Sequence, residues 1–486
     1  MNAESIITPI EAVGLLLAMG IAMFIVCKET RGSERHADGF LVADRKVGVW
    51  RGALSIAVSW IWAPAIFICS MQSFTKGLAG IFWFTFPNIL CFFIFMPIAI
   101  RLRKLIPNGY SFPDYIAEKR FPGETKTHFA YLTVYFGYQL GALVINSLAG
   151  GYLLYSISGL NLYVAIVLFA AIPLFYTLGT GLKASVVTDA IQMIMVLGIT
   201  FVLVPWCLFK LGGFHAVTQG IGGIDGTHDS IFDPWIAFTM GIPMTLGLIS
   251  GPIGDQMFFQ RAMATEERNI SKTFMYGALL FGVVPITLSL LGFVAVPLVK
   301  EGLLQVRDPQ LVGLEVISYV LPKAAVYAFT FMAFAGLLST IDSSMVAISS
   351  LATVDIYKRY LKPKASDSDL LKASRYCMLG LTALGSSIAL LEPKLLWVFL
   401  IYGALASAGL FPVIFALFWR KLSAAGAFWA ITLSLVIGTP LSVIANMMED
   451  PHLVVLAAVL SVAVGLLVCL LSGLVFSEES IKEAGV

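Results

Sequence analysis

Charged residues are scarce in this sequence. Only 12% of its 486 residues are Asp, Glu, Lys or Arg, whereas 58% are hydrophobic and the mean hydropathy is +0.89. Soluble domains carry roughly 25% charged residues, so the composition excludes a set of ordinary soluble domains, and nothing in it indicates nucleic-acid binding. It predicts a polytopic membrane protein instead, a class to which the net charge of +2 adds nothing.

Cysteine and histidine are also rare. The six cysteines lie in apolar runs without a CxxC pair, which is typical of packing residues rather than of disulfides or metal ligands. The five histidines fall in loops or at the ends of apolar runs, and no HExxH or paired-acid motif accompanies them. We therefore expect no enzyme activity, and a membrane enzyme acting on a lipid or isoprenoid stays a minor alternative.

Apolar runs, by contrast, fill almost the whole chain. A helix needs about 20 apolar residues to cross a bilayer, and thirteen such runs stand between charged or Gly/Pro-rich breaks. The first run, 6–27, lacks the basic start of a signal peptide and is too long for its apolar core, so we expect a retained span. The predicted fold class is an all-α membrane protein with thirteen transmembrane helices.

Lys and Arg are distributed unevenly between the two sides. The segments that follow odd-numbered runs, together with Arg51, hold 25 of the 31 basic residues. Because positive residues stay on the cytoplasmic side, the N-terminus is predicted outside and the C-terminus in the cytoplasm. We expect an integral protein of a bacterial inner (plasma) membrane.

Two runs contain helix breakers at their centres. The second carries SWIWAP at 59–64 and the seventh carries ISGPIGDQ at 249–256. Such breaks leave backbone groups unpaired at membrane depth, which is tolerated only where they line a cavity or bind something. A simple proline kink is the alternative for either run alone. The spacing of five runs, however, is that of two inverted repeats, each opening with a broken helix.

The predicted domain organisation follows from these breaks. No residue-level repeat is visible, so the symmetry rests on the pattern of runs alone. The segments are a first peripheral span with a cytoplasmic loop (1–48), a first five-helix repeat (49–210, spans 2–6), a second inverted repeat (235–421, spans 7–11), and two peripheral spans with a short tail (422–486).

Few acids lie deep within the apolar runs, and one of them, Asp342, follows a polar stretch. An acid at that depth costs about 2.5–3.5 kcal/mol on insertion scales, so it calls for a partner or a function. In GLLSTIDSSM at 336–345, Gly336, Ser339, Thr340 and Ser343 share one helix face with Asp342 at its margin. Close helix packing explains the glycine but not the acid. Hydroxyls, a carboxylate and free carbonyls of a broken helix are ligands for a hard cation such as sodium.

Five short motifs resemble the solute:sodium symporter family. They are DGFLVADRKVG at 38–48, with Asp44 where the family has glycine, TDAIQ at 188–192, QRAMA at 260–264, DIY at 355–357 and WRKLSAAGA at 419–427. Each motif is weak alone, but they occur in order, on the expected runs, over nearly the whole chain. The resemblance implies the inverted-repeat fold of the leucine transporter and sodium-coupled uptake of a small-molecule solute, with Na⁺ as the coupling ion and no other metal.

The resemblance also implies the ligands for sodium. The family uses two adjacent hydroxyl residues on span 9 and backbone carbonyls of span 9 and of the first broken helix. The corresponding positions here are Val58, Ile61, Gly336, Ser339 and Thr340.

A second cation site occurs in some members of that family. It corresponds here to Asp189 and to Ser343, one turn beyond Ser339. Asp342 stands where those members have a hydroxyl. Two carboxylates at one site would either hold a cation more firmly or share a proton, and both alternatives stay open.

The solute is expected near the middle of the bilayer, between the broken helices. The segments SWIWAPA at 59–65 and DQMFFQR at 255–261 resemble the urea-transporter branch, and an acid there suits a solute that donates hydrogen bonds or carries positive charge. Urea or another small nitrogenous solute is therefore predicted. A proline-like amino acid or a monocarboxylate, met by a half-helix N-terminus, is the alternative, and a sensor subunit a minor one. The predicted solute residues are Trp60, Trp62, Gln72, Gln139, Asp255, Gln256, Phe258 and Phe259.

Overall fold

The structure, a computed structural model, describes residues 6–29 and 36–475. The predicted segments 1–48 and 422–486 each fall partly outside these described residues. Within them every regular element is helical, apart from one isolated bridge between Val47 and Thr265, which confirms the all-α prediction.

The helices follow one another with short connections, as apolar runs with polar ends predict. The first are α1 Pro9–Glu29, α2 Ala37–Val42, α3 Val49–Ser59, α4 Cys69–Leu105, α5 Phe112–Tyr115, α6 Thr125–Ser158, α7 Leu162–Thr177, α8 Gly181–Lys210 and α9 Phe214–Gly220. Then come α10 Pro234–Ile236, α11 Ile242–Gly254, α12 Gln256–Ala264, α13 Ile270–Lys300, α14 Val312–Val320, α15 Lys323–Ser350, α16 Asp367–Ala389, α17 Leu395–Phe418, α18 Ala424–Met447 and α19 Pro451–Val475.

Ten helices in the described part of the chain are long and apolar enough to cross a membrane. α7 is apolar but has only 16 residues. α4 bends at Lys76 and Gly77, between the second and third predicted spans. Gly77 has a φ of +56°, and a Cβ there would lie 2.4 Å from the carbonyl oxygen of Ile221, so only glycine fits this bend. The count of thirteen spans and the division into repeats stay predictions.

Both predicted helix breaks are present, and both face α15. α3 ends at Ser59 and helical structure resumes at Pro64, while α11 ends at Gly254 and α12 begins at Gln256. α15 packs against α3, α6, α8 and α12, so its polar face is enclosed by the elements that carry the breaks. The peripheral helices α18 and α19 pack on α17 instead.

A left-handed turn explains the departure from the family motif at Asp44. Ala43, Asp44 and Arg45 have φ angles of 49°, 54° and 57°. Glycine adopts this region freely, and among other residues Asp tolerates it best. The turn is fixed from both sides, since His36 lies 2.9 Å from Asp44 Oδ1 and Arg45 donates to the carbonyl of Gly109 at 2.8 Å.

The cysteines behave as packing residues. Five of the six, all except Cys377, are buried. This burial fits the packing role that the sequence predicts.

Candidate cation and solute sites at the two helix breaks

The first break exposes backbone carbonyls to the interior. Pro64 has no N–H with which to continue the ladder of α3. The side-chain oxygen of Asn146 accepts a hydrogen bond from the backbone N–H of Ala63 at 2.9 Å, which satisfies one amide of the break. The carbonyls of Ser59 and Ile61 are directed towards α15 instead, where they meet a hydroxyl group.

That hydroxyl belongs to Thr340. Its Oγ1 lies 3.3 Å from the carbonyl oxygen of Ile61, 3.5 Å from that of Ser59 and 3.2 Å from that of Gly336. One hydroxyl proton cannot serve three acceptors, so this group is rich in unshared electron pairs. Gly336 allows the close approach, because a Cβ there would lie 2.9 Å from Ile66 Cδ1.

The other two predicted sodium ligands lie next to this group. The carbonyl of Val58 accepts from the N–H of Ile61 at 2.9 Å, at the end of α3. Ser339 donates its hydroxyl hydrogen to Asp189 Oδ1. Because that hydrogen is turned towards the carboxylate, the lone pairs of the Ser339 oxygen are free for another partner.

Asp189 is completely buried and fully paired. Its Oδ2 accepts from Ser55 Oγ at 2.6 Å and from Arg261 Nη2 at 2.7 Å, and its Oδ1 accepts from Ser339. Ser343 Oγ lies 3.5 Å from both carboxylate oxygens. The carboxylate that the family resemblance assigns to a second cation site is therefore already paired with the guanidinium group of Arg261.

Asp342 lies beside this ion pair and has its own partners. Its Oδ1 accepts from Ser185 at 2.8 Å and from Ser343 at 3.3 Å. The structure thus brings the predicted residues Asp189, Asp342 and Ser343 together. It adds Ser185 and Arg261 to them.

The second break presents a carboxylate and an amide. Asp255 has an extended conformation, and its Oδ1 accepts from the N–H of Met257 at 2.7 Å, which caps α12. The same oxygen accepts from Gln139 Nε2 at 2.5 Å. The other oxygens, Asp255 Oδ2 and Gln139 Oε1, are buried without a hydrogen-bond partner. Two acceptors at this break are therefore unsatisfied.

A cleft leads towards the second break from the predicted outer side. It measures about 800 Å³ including its open mouth, and Trp60, Trp62 and Tyr138 lie in its lining. A Cβ at Gly251 would come within 2.7 Å of both the Trp60 ring and the Tyr138 hydroxyl. These two side chains therefore close over α11 about one turn before Asp255.

Six of the eight predicted solute residues lie outside the cleft lining: Asp255 and Gln139 at the second break, and also Gln72, Gln256, Phe258 and Phe259. Phe258 and Phe259 belong to an aromatic cluster, in which the Phe258 ring is 4.9 Å from that of Trp60 and packs on its edge. Gln72 and Gln256 are buried amides whose Oε1 atoms have no hydrogen-bond partner. Packing accounts for the two phenylalanines.

Several contacts could not be read from the motifs. Trp60 Nε1 donates to Asn88 Oδ1 at 3.0 Å across 28 positions of sequence, and nothing in either segment indicates this pairing. Arg261 is different, because it stands inside a quoted motif. A base within an apolar run calls for a partner as much as an acid does, so its depth in the run is the feature of the sequence that indicates a buried pairing.

The predicted cytoplasmic end is closed by the loop that precedes α3. Gln260 donates to the carbonyl of Leu41 at 2.7 Å, and the hydroxyl of Tyr110 donates to Asp38. Burial, and then this hydrogen bond, raise the pKa of the Tyr110 phenol above its usual range. The molecule is therefore open towards the cleft and sealed at the opposite end.

Apolar helices that cross a membrane, two of them broken where oxygen atoms collect, define a membrane protein of the transporter class. The comparison with known families is specific. The model described as the sodium:solute symporter family matches residues 40–434, and the chain belongs to that family.

Relatives and solved structures agree with this membership. The chain is 25% identical over 460 residues to a urea–proton symporter of Oryza sativa subsp. japonica, covering 86% of this chain but only 63% of the rice protein. It is 24% identical over 479 residues to a sodium/glucose cotransporter of Vibrio parahaemolyticus, covering 87% of this chain and 82% of that one. A Na⁺-coupled sialic acid symporter, solved in a substrate-bound outward-open state, shares the fold with a TM-score of 0.78 at 18% identity, over 95% of this chain and 98% of that chain.

Proposed function

We propose that this protein is a sodium-coupled symporter that imports a small neutral nitrogenous solute, with urea as the leading candidate, by alternating access. Family membership supports the transport class. The observation that carries the proposal is the group of carbonyl and hydroxyl oxygens around Thr340 at the first break. Such a neutral oxygen-rich group is suited to a hard, desolvated cation.

Sodium is proposed to bind between the first break and α15. Its ligands would be the carbonyls of Val58, Ile61 and Gly336 and the hydroxyls of Ser339 and Thr340. Because these atoms belong to the end of α3 and the break that follows it on one side and to α15 on the other, a bound ion would join the two segments and favour the conformation in which they lie close. Sodium would thereby stabilise the state that is open to the cleft.

The solute is proposed to bind below Trp60 and Tyr138, next to the second break. The two unsatisfied oxygens there, on Asp255 and Gln139, are acceptors. Buried acceptors without partners are costly, so a ligand that fits must supply N–H or O–H donors. Urea presents N–H groups on both nitrogens and is small enough to pass two aromatic side chains.

A carboxylate solute fits this break poorly. The N-terminus of α12 would be its natural binding site, but the Asp255 carboxylate already caps that terminus through the N–H of Met257. The carboxylate of such a solute would be repelled by the carboxylate of Asp255. This geometry favours urea over the proline-like amino acid and over the monocarboxylate.

The remaining architecture is proposed to follow the family. It comprises thirteen spans, two inverted five-helix repeats, an N-terminus outside and a C-terminus in the cytoplasm of a bacterial inner membrane. The cleft on the predicted outer side and the sealed cytoplasmic end support an outward-facing conformation.

Uptake into liposomes tests the proposal. The purified chain would be reconstituted and given radiolabelled urea with an inward sodium gradient, with an equal potassium gradient, or with an inward proton gradient. We expect accumulation only with sodium, and competition by close urea analogues but not by proline, sugars or monocarboxylates.

Two results would contradict the proposal. If a proton gradient drove the same urea accumulation with and without sodium, the coupling ion would be the proton, as the name of the rice relative states for that protein. Absence of transport of every solute in the panel by correctly folded protein would favour the sensor alternative.

A further inference from the structure

Arg261 heads the fully buried side chains by size among the described residues, and the proposed sodium and solute sites make no use of it. It lies on α12, directly after the second break. A buried guanidinium group is costly unless its charge is paired and its donors are satisfied. Its surroundings should therefore reveal what it does.

The guanidinium group connects three other helices of the core. Nε donates to Ser55 Oγ on α3 at 2.9 Å. Nη2 donates to Asp189 Oδ2 on α8 at 2.7 Å and to Ser343 Oγ on α15 at 2.5 Å. These are the same oxygens that a cation on Asp189 would use.

The pairing with Arg261 leaves few oxygen atoms near Asp189 that could coordinate a metal ion. The hydroxyls of Ser55 and Ser343 and the Oδ2 atom of Asp189 all accept hydrogen bonds from Arg261, so the guanidinium group occupies three of the oxygens that a metal ion here would need. The charges of Asp189 and Arg261 cancel. A sodium ion on Asp189 would have to displace the guanidinium group, and only Asp342, whose Oδ1 already accepts from Ser185 and Ser343, would remain near that buried positive charge.

We propose that Arg261 is a chain-attached cation that takes the place of a second sodium ion on Asp189, so that one sodium ion accompanies each solute molecule. The inference rests on the proposed sodium coupling. Arg261 acts through Asp189, which in turn holds the hydroxyl of Ser339 beside the sodium site. It is thus a positioning residue that also sets the ion count.

Counting ions in reconstituted protein tests this inference. The ratio of sodium to urea would be measured from the membrane potential at which net flux stops, for wild type, Arg261→Gln, Arg261→Lys and the double variant Arg261→Gln with Asp189→Asn. We expect a ratio of about one for wild type and Arg261→Lys, since both keep a cation on Asp189.

The charge-removing variants give the contrast. In Arg261→Gln, the freed Asp189 should bind sodium, so the ratio should rise to about two and the Hill coefficient for sodium from about 1 towards 2. The double variant lacks the Asp189 carboxylate while Asp342 is kept in every variant, so a ratio that returns to about one assigns the second ion to Asp189. A protein in which Arg261 only supports the fold would lose activity without any change in ratio.

The outcomes separate this inference from the proposed function. A wild-type ratio of two, or an unchanged ratio in active Arg261→Gln, overturns the role of Arg261 while leaving sodium coupling intact. Uptake by wild type without any sodium overturns the proposed function itself. If Arg261→Gln does not fold, the wild-type and Arg261→Lys ratios decide, since a ratio of two in either contradicts the inference.

Discussion

The two broken helices differ in what they leave unpaired. The first break, at 59–64, presents carbonyl oxygens to the Thr340 hydroxyl and carries no charged side chain. The second break carries the Asp255 carboxylate, whose free oxygen lies with that of Gln139 beneath a cleft. One device, an interrupted membrane helix, thus yields a group suited to a bare cation at the first break and a group suited to a hydrogen-bond donor at the second.

The difference comes from the residue that restarts each helix. Pro64 cannot donate a backbone hydrogen bond and the N–H of Ala63 donates to Asn146, so the carbonyls of Ser59 and Ile61 meet side-chain donors instead, Thr340 at both and Trp62 at Ser59. Asp255 instead caps the helix that follows, so the positive end of α12 is already neutralised. Local sequence therefore decides which kind of ligand each break can accept.

The largest effect is expected for Thr340→Ala, which removes the hydroxyl opposite the first break. Loss of one ligand should raise the half-saturating sodium concentration by about tenfold or more, since about 1.4 kcal/mol corresponds to a factor of ten. Sodium activation of urea uptake measures this. Ser349→Ala is the matched control, because Ser349 lies on α15 but donates only to the carbonyl of Val346; equal effects in both variants would contradict the site.

Asp255→Asn should act on the solute instead. The amide oxygen can still cap α12, but the loss of the charged acceptor should raise the KM for urea by about tenfold. Sodium binding in the absence of urea should stay unchanged. Asp233→Asn is the control, since Asp233 caps α10 in the same way but lies away from the cleft. If Asp255→Asn changed only the affinity for sodium, Asp255 would be a ligand of the ion and not of the solute.

Asn88→Ala tests the wall of the cleft with a smaller expected effect. It removes the partner of the Trp60 indole, a hydrogen bond of about 1 kcal/mol. The KM for urea should rise about fivefold, with sodium activation unchanged. An unaltered KM would mean that Trp60 does not contact the solute on its path.

Asp44→Gly serves as a test outside both breaks. Relief of the left-handed conformation, about 1–2 kcal/mol, is partly offset by the greater freedom of glycine in the unfolded chain, so a net gain of about 0.5–1 kcal/mol is expected. The melting temperature of the purified protein should rise while both affinities stay constant. A lower melting temperature would show that the contact with His36 outweighs the backbone strain.

Much of the fold could be predicted because a bilayer imposes length and polarity on each helix. Both breaks, the all-α class and the packing role of the cysteines followed from composition and from Pro and Gly positions. At the candidate site, the polar face of α15 and the isolated acid Asp189 were visible as departures from an apolar pattern.

The pairings across the core could not be predicted in the same way. Arg261 and Asp189 are 72 positions apart, and Gln139 and Asp255 are 116 apart, so only the tertiary fold determines that they meet. Helix periodicity gives the face on which a residue lies, but not the rotation of the neighbouring helix. The same limit applies to Phe258 and Phe259, because the sequence predicts a contact with the solute but cannot show that both rings pack among other aromatic side chains.

The most direct test of the account is the coupling between the two breaks. Urea binding to the detergent-purified protein would be measured over a range of sodium concentrations, and sodium binding over a range of urea concentrations. Because coupling between two binding sites is reciprocal, each ligand should raise the affinity for the other by the same factor, and Thr340→Ala should remove that factor. Urea binding that is independent of sodium in the wild type would contradict the account.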